Sequence, residues 1–164
     1  MIETPRLLLR KFKPTDREMV IELLRNSEFM AYSPTGAMSD ELAESRFQSL
    51  LDAYKKYGIG KFALIEKSTE ELIGYCGLEN FSYKGVDVVE LGYRIRVQSR
   101  GHGYAVEASS AVLNYAKQIG YKSVLALTEP ENELSQHILK KLGFERFSSG
   151  MFENMSVDYF EKCI

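Results

Sequence analysis

The chain reads as an α/β protein. Its apolar residues switch repeatedly between a period of two and a period near 3.6, and one strand-like run passes into a helix-like run through a glycine turn. Leu7-Leu8-Leu9 is a short apolar run suited to a first strand. Thr15-Asp16-Arg17-Glu18 has capping-box spacing, and Val20, Leu23 and Leu24 follow on one helical face. Ser39 caps a second helix whose apolar stripe is Ala43, Phe47, Leu50, Leu51 and Tyr54. Three strands come next. Phe62 to Ile65 and Leu72 to Leu78 flank the polar turn Lys67 to Glu71 as a hairpin, and Val86 to Val97 follows a turn at Lys84-Gly85. Tyr104, Ala108, Ala111, Val112, Tyr115 and Ile119 then share a helical face, which Gly120 ends. Val124 to Thr128 is strand-like, and Asn132 caps a short helix that ends at Gly143. Phe144 to Phe147 and Met155 to Phe160 close the chain as strands.

Composition narrows the function classes. A chain of 164 residues without linker, repeat or low-complexity segment fits one domain, residues 1–164. A domain of that size buries roughly 70% of its unfolded surface. Hydrophobic residues make up 45% and charged residues 27%, as in ordinary globular chains. A net charge of −2 lacks the basic excess that nucleic-acid binding calls for. No apolar run is long enough to span a bilayer, and Met1 to Arg6 carries no signal-peptide pattern. Cys76 and Cys163 are too few for a disulfide framework, and His102 and His137 lack metal-site spacing. The expectation is a cytoplasmic protein with no metal, no nucleic-acid partner and no membrane, either monomeric or a homodimer.

The chemistry starts at Gln98-Ser99-Arg100-Gly101-His102-Gly103-Tyr104-Ala105. A glycine turn between a strand and a helix aims backbone N–H groups from the positive end of the helix, which suits a phosphate or pyrophosphate. A Walker A loop requires Lys-Ser/Thr after its last glycine, where this chain has Tyr104-Ala105. A dinucleotide fingerprint requires a small residue at Val106 and an acid about 20 residues on, where Leu125 and Ala126 stand. Both patterns fail.

Gln98-x-x-Gly101-x-Gly103 resembles the acetyl-CoA pyrophosphate loop of the GNAT superfamily of N-acetyltransferases. A second stretch is similar to that family's C-terminal motif: Asn132-Glu133-Leu134-Ser135, then Leu139 and Leu142-Gly143-Phe144. The order of elements agrees over nearly the whole chain. The resemblance implies a three-layer α/β/α sandwich around a mixed, mostly antiparallel sheet. It implies acetyl-CoA as co-substrate, held by Ile95, Arg96 and Val97, by Arg100, Gly101, His102, Gly103, Tyr104 and Ala105, and by Asn132 and Ser135. The last motif also has plain structural uses, since Asn132 and Gly143 are good helix caps and Phe144 a core residue.

One departure matters. Many GNAT enzymes place a tyrosine seven residues after the Asn to protonate the departing thiolate, and this chain has Leu139 there. Ser135 stands where the RimJ/RimL-like branch, the ribosomal-protein alanine acetyltransferases, has a serine proposed for that role. Thr4 to Arg10 followed by Asp16, Glu90 to Ile95, and Ala105 to Ala108 also resemble that branch.

The reading of function is direct acetyl transfer to a primary amine, on a protein N-terminus or a small molecule. Glu90 is the candidate base, its plain alternative being a solvated strand carboxylate. Tyr32, Tyr75, Glu79 and Asn80 are candidates for the acceptor side, although buried tyrosines also simply pack. Arg94 and Arg96 can meet acceptor or phosphates, or be surface charge. Glu107, in the first turns of the cofactor helix, reads as structural and Cys76 as core. The alternatives are an acyl-CoA-binding module that has lost catalysis and a nucleotide-binding protein.

Overall fold

Leu7 and Leu9 are fully buried while Leu8 and Arg10 are half-buried, the alternation of a strand with one face on a core. The computed structural model, which describes residues 1–164, extends that pattern over one eight-stranded sheet. The elements are β1 (Ile2–Glu3), β2 (Leu7–Arg10), α1 (Arg17–Arg25), α2 (Asp40–Tyr57), β3 (Lys61–Glu66), β4 (Glu71–Tyr83), β5 (Val86–Ile95), α3 (Tyr104–Gln118), β6 (Ser123–Thr128), α4 (Glu133–Lys141), β7 (Glu145–Phe152) and β8 (Met155–Cys163). The strand order is β1-β2-β3-β4-β5-β6-β8-β7. Every pairing is antiparallel except β5 with β6.

Helices cover the sheet on both faces. α3 and α4 press Val112, Leu113 and Leu139 onto Leu9, Leu64, Ile73 and Cys76. α1 and α2 press Leu24, Phe47 and Leu50 onto Ala63, Leu72 and Tyr75 on the other face. The result is the expected three-layer α/β sandwich around a mixed, mostly antiparallel sheet. A third, smaller apolar cluster of Leu125, Val157 and Tyr159, with Phe81, Tyr83, Val88 and Phe152 against it, is built from strands and their turns alone. By alternation along β4 it lies on the α1/α2 face.

The expected elements are all present, with shifted ends. β4 runs on through Tyr83 rather than stopping at Leu78, because its ladder with β5 continues to Tyr83 opposite Val86. β5 ends at Ile95, and Val97 begins a short 3₁₀ turn, Val97–Ser99. β7 and β8 pair out to Phe152 opposite Met155, well past Phe147. The expected Thr15–Glu18 capping box does not form, and the residue preceding α1 is Asp16. Its carboxylate accepts two 2.8 Å bonds from Arg10 and one of 2.7 Å from the Lys13 N–H, and α1 starts at Arg17. Ser39 and Asn132 do cap their helices, accepting from the N–H groups of Leu42 and Ser135. No helix is long and apolar enough to cross a membrane.

Two facts of this sheet position the site. β5 and β6 share a single bridge, Glu90 opposite Leu125, so β5 lacks a strand partner on that edge from Leu91 to Ile95. Beside it, β3 and β4 approach closely at Lys61 opposite Gly77. A Cβ on Gly77 would stand 2.3 Å from the Gly60 carbonyl oxygen and 2.6 Å from Lys61 Cα, both backbone atoms. Gly77→Ala is therefore expected to destabilise the fold by about 1–3 kcal/mol, the usual cost of overpacking. A thermal melt should show this as a Tm lowered by several degrees.

Candidate active site

The glycine loop follows directly from the unpaired stretch of β5. After the 3₁₀ turn, the Arg100 N–H donates to the Val97 carbonyl. Gly101 and Gly103 then take φ of +82° and +80°, a region costly for other residues. Gly103 is the N-cap of α3 and carries no side chain to cap it. From Gly101 to Val106 no backbone N–H donates to an acceptor within the protein; the next, Glu107, donates to the Gly103 carbonyl. A Cβ on Gly101 would meet nothing within 4 Å. A run of unpaired donors at an open helix N-terminus fits a phosphate-bearing group.

Side chains around the loop are mostly committed elsewhere. The Arg96 guanidinium binds Glu71 at 2.5 Å and Ser99 Oγ at 2.8 Å. Arg100 donates to the carbonyls of Ile95 and Glu28. Both arginines were expected at the cofactor; with their guanidinium groups so occupied, they shape the loop rather than offer free charge. Tyr104 gives its hydroxyl to Glu66 at 2.7 Å and lies under the Arg6 guanidinium. His102 and Val97 are exposed, Ile95 is buried, and Ala105 is half-buried in the first turn of α3. Glu107 accepts from Thr4 Oγ1, from the Arg6 N–H and from Arg6 Nε, and so ties the N-terminal segment to α3. Glu107 is structural, as its position implied.

On the α4 side, Asn132 spends its side-chain oxygen on the helix cap. Ser135 Oγ lies 2.8 Å from the hydroxyl of Tyr93, which reaches it from β5. Burial pushes the Tyr93 phenol up, against its bond to Ser135. Leu139 is 1% exposed and belongs to the core. Nearby in sequence, at the end of β6, the Thr128 hydroxyl is buried without a hydrogen-bond partner.

The opposite face of the sheet holds a cleft of about 610 Å³ between the β4–β5 and β7–β8 hairpins. Glu79 and Glu90, paired across β4 and β5, line it together with Phe81, Tyr83, Phe152 and Tyr159. Glu79 is held by Arg46 at 2.8 Å and by the buried Lys61 at 3.7 Å. Burial alone would raise the Glu79 carboxyl, but Lys61 and Arg46 outweigh it and keep that carboxyl below its ordinary range. Glu90 has no ion pair or hydrogen bond of its own. Burial pushes its carboxyl above the ordinary range, with Lys61 opposing and Glu79 adding to the rise. Gly92 makes room for this arrangement: a Cβ there would stand 2.6 Å from Lys61 Nζ and 3.3 Å from Glu90 Oε1.

The other acceptor-side candidates separate. Asn80 borders the cleft and is exposed. Tyr75 is 6% exposed and packs edge-on against Phe29 at 5.7 Å, a core residue outside the cleft lining. Tyr32 stands 47% exposed on the α1–α2 loop and does not line the cleft either. Its carbonyl and those of Phe29 and Ala31 accept from Arg94. Arg94 thus ties the α1–α2 loop to β5.

The splayed parallel pair, the free-donor glycine loop and the cleft across the sheet belong to one fold, and comparison with known proteins gives that fold a family. The profile of the family described as the Acetyltransferase (GNAT) domain matches residues 6–145. The chain belongs to the GNAT acetyltransferase family. Among its GNAT relatives is the uncharacterized N-acetyltransferase YnaD of Bacillus subtilis, 30% identical over 99% of this chain and 87% of its own length. A GNAT-family acetyltransferase structure from Bacillus anthracis is 28% identical, covers 99% of this chain and 96% of its own, and superposes with a TM-score of 0.80. The ribosomal-protein-S5-alanine acetyltransferase of Vibrio fischeri shares the GNAT fold at a TM-score of 0.80 and 19% identity, over 99% and 95% of the two chains.

Sequence reasoning passed over Tyr93, Thr128, Lys61 and Arg46. Tyr93 had a usable signal, since it lies two positions from Leu91 on the same face of β5. Lys61 had none, because a lysine opening a strand ordinarily reads as solvated.

The raised carboxyl of Glu90 has a thermodynamic consequence. A native state that holds a proton more tightly than the unfolded chain loses stability as pH rises from the unfolded pKa through the folded one. Glu90→Gln removes that ionisation. Its Tm should exceed that of the wild type at about pH 8 and match it at about pH 4, where the carboxyl is largely protonated in either state. Paired melts at the two pH values check the sign.

Proposed function

We propose that this chain is an acetyl-CoA-dependent N-acetyltransferase that moves the acetyl group directly to a primary amine, with machinery of the RimJ/RimL-like kind. The observation that carries the reading is the run of free N–H groups from Gly101 to Val106 at the head of α3. Acetyl-CoA supplies a thioester and a pyrophosphate. The pyrophosphate suits those donors, and the unpaired edge of β5 leads from them to the sheet opening. That edge offers backbone donors for charge developing on the thioester oxygen.

Glu90 takes the proton from the amine in this reading. An amine attacks only when neutral; an α-amino group (pKa about 7.7–8.0) reaches that form with little help, whereas an alkyl amine such as that of lysine (about 10.4) needs a base. A carboxylate with a raised pKa and no competing partner is better suited to that task than the ion-paired Glu79. A free base in the cleft favours catalysis over an inactive binding module. Ser135 donates to the departing thiolate, with Tyr93 fixing the hydroxyl. No nucleophile is required, and transfer is direct.

Two substitutions test the halves of this assignment. Gly103→Val puts a β-branched side chain where φ is +80°. It should weaken CoA binding by about tenfold or more, strain at such a position being on the order of 1–3 kcal/mol. Unchanged affinity in a folded variant, measured by calorimetry, would remove the loop assignment. Ser135→Ala should lower turnover by about 10–100-fold, at or below the lower end of general acid catalysis, with CoA affinity nearly constant. Full turnover in Ser135→Ala would leave the thiolate to solvent.

A further inference from the structure

The cleft across the sheet has a chemistry of its own at each end. Its only acidic lining residues, Glu79 and Glu90, face one another at one register position. Arg46 and Lys61 already neutralise Glu79, which leaves Glu90 as the single carboxylate free to receive an amine. From there β4 and β5 run through Phe81 opposite Val88 to Tyr83 opposite Val86. Four residues of antiparallel strand span about 13 Å. Along that length the lining is aromatic: Phe81 lies 5.5 Å from Phe152 and 6.3 Å from Tyr159, centroid to centroid.

The far end is closed and basic. The Tyr83 hydroxyl is 2.8 Å from Ser148 Oγ, and its ring meets Phe147 edge-on at 5.4 Å, so one hairpin is clasped to the other. Lys84, exposed at the β4–β5 turn, is the one cation lining the cleft, and no acid stands beside it in that lining. A volume of about 610 Å³ is that of a small-molecule pocket.

We propose that the acceptor is a compact small-molecule monoamine with an apolar, ring-sized body: its amine sits at Glu90, its body lies against Phe81, Phe152 and Tyr159, and Lys84 repels a second ammonium. The inference rests on the acetyl-transfer reading above. A polyamine would carry its next charge along an aromatic wall toward Lys84. A peptide running along the cleft from its N-terminus would meet the Tyr83–Ser148 clasp. A monoamine of one ring and a short arm meets neither obstacle.

The test is thiol release from acetyl-CoA by the full chain with three acceptors: 2-phenylethylamine, spermidine and a tetrapeptide with an N-terminal alanine. The expected kcat/KM for 2-phenylethylamine exceeds the other two by at least about tenfold, the discrimination an apolar pocket commonly gives. Phe152→Leu should raise KM for 2-phenylethylamine more than it lowers kcat. Lys84→Glu should improve spermidine alone by about two- to fivefold, the worth of one exposed ion pair. Spermidine or the peptide as best substrate of the wild type would overturn the inference and leave acetyl transfer standing. An unchanged spermidine rate in Lys84→Glu would overturn the role of the basic rim. No amine-dependent release with any acceptor would overturn the transfer reading itself, and this inference with it.

Discussion

β5 and β6 run parallel, and their contact as strands amounts to one bridge, Glu90 opposite Leu125. A parallel neighbour ordinarily satisfies every second backbone group along a strand. Withholding that from Leu91 to Ile95 leaves hydrogen-bonding capacity facing a gap in the middle of the sheet. The bridge also fixes Glu90 at the point where the strands begin to part, on the face away from α3 and α4. The glycine loop follows one end of that unpaired stretch and the aromatic cleft lies beside Glu90 at the other, so sheet geometry sets their spacing.

Charge holds the surroundings of that opening in place. Arg94 and Arg100 grip the carbonyls of Glu28, Phe29, Ala31 and Tyr32, fastening the α1–α2 loop to the end of β5 and to the glycine turn. Glu107 gathers Thr4 and Arg6 against α3. All are charge-assisted, and those of the two arginines are directed at backbone, which gives them more definition than isolated surface ion pairs. The N-terminal Thr-Pro-Arg segment thereby becomes a brace for the helix whose first turn carries the free donors.

The order of elements and the glycine loop were legible because each rests on local rules, while the layers followed only from the family resemblance. Hydrophobic period separates strand from helix, and Gly101 and Gly103 mark a turn that other residues resist. Element ends were less legible. β4 outruns Leu78 because pairing with β5, a non-local contact, sustains a polar stretch that period alone does not identify. Roles of charged residues were least legible. Arg94 and Arg96 were read either as ligand contacts or as surface charge, and period could not show that loop carbonyls and Glu71 would engage them. Tyr75 is drawn into the α1/α2 core by Phe29. Lys61 gave no sign at all, since nothing near it in sequence shows that two glycines and two glutamates from other strands will surround it.

Gly92 shows how a site can depend on an atom that is missing. Where its Cβ would stand, Lys61 Nζ and Glu90 Oε1 already crowd. The smallest side chain at that position would press on the cation and the carboxylate at once, shifting the balance of charge at the cleft floor without touching either residue's identity. Variation at position 92 would therefore act as a dial on the electrostatics of the cleft, through a glycine that has no side chain of its own.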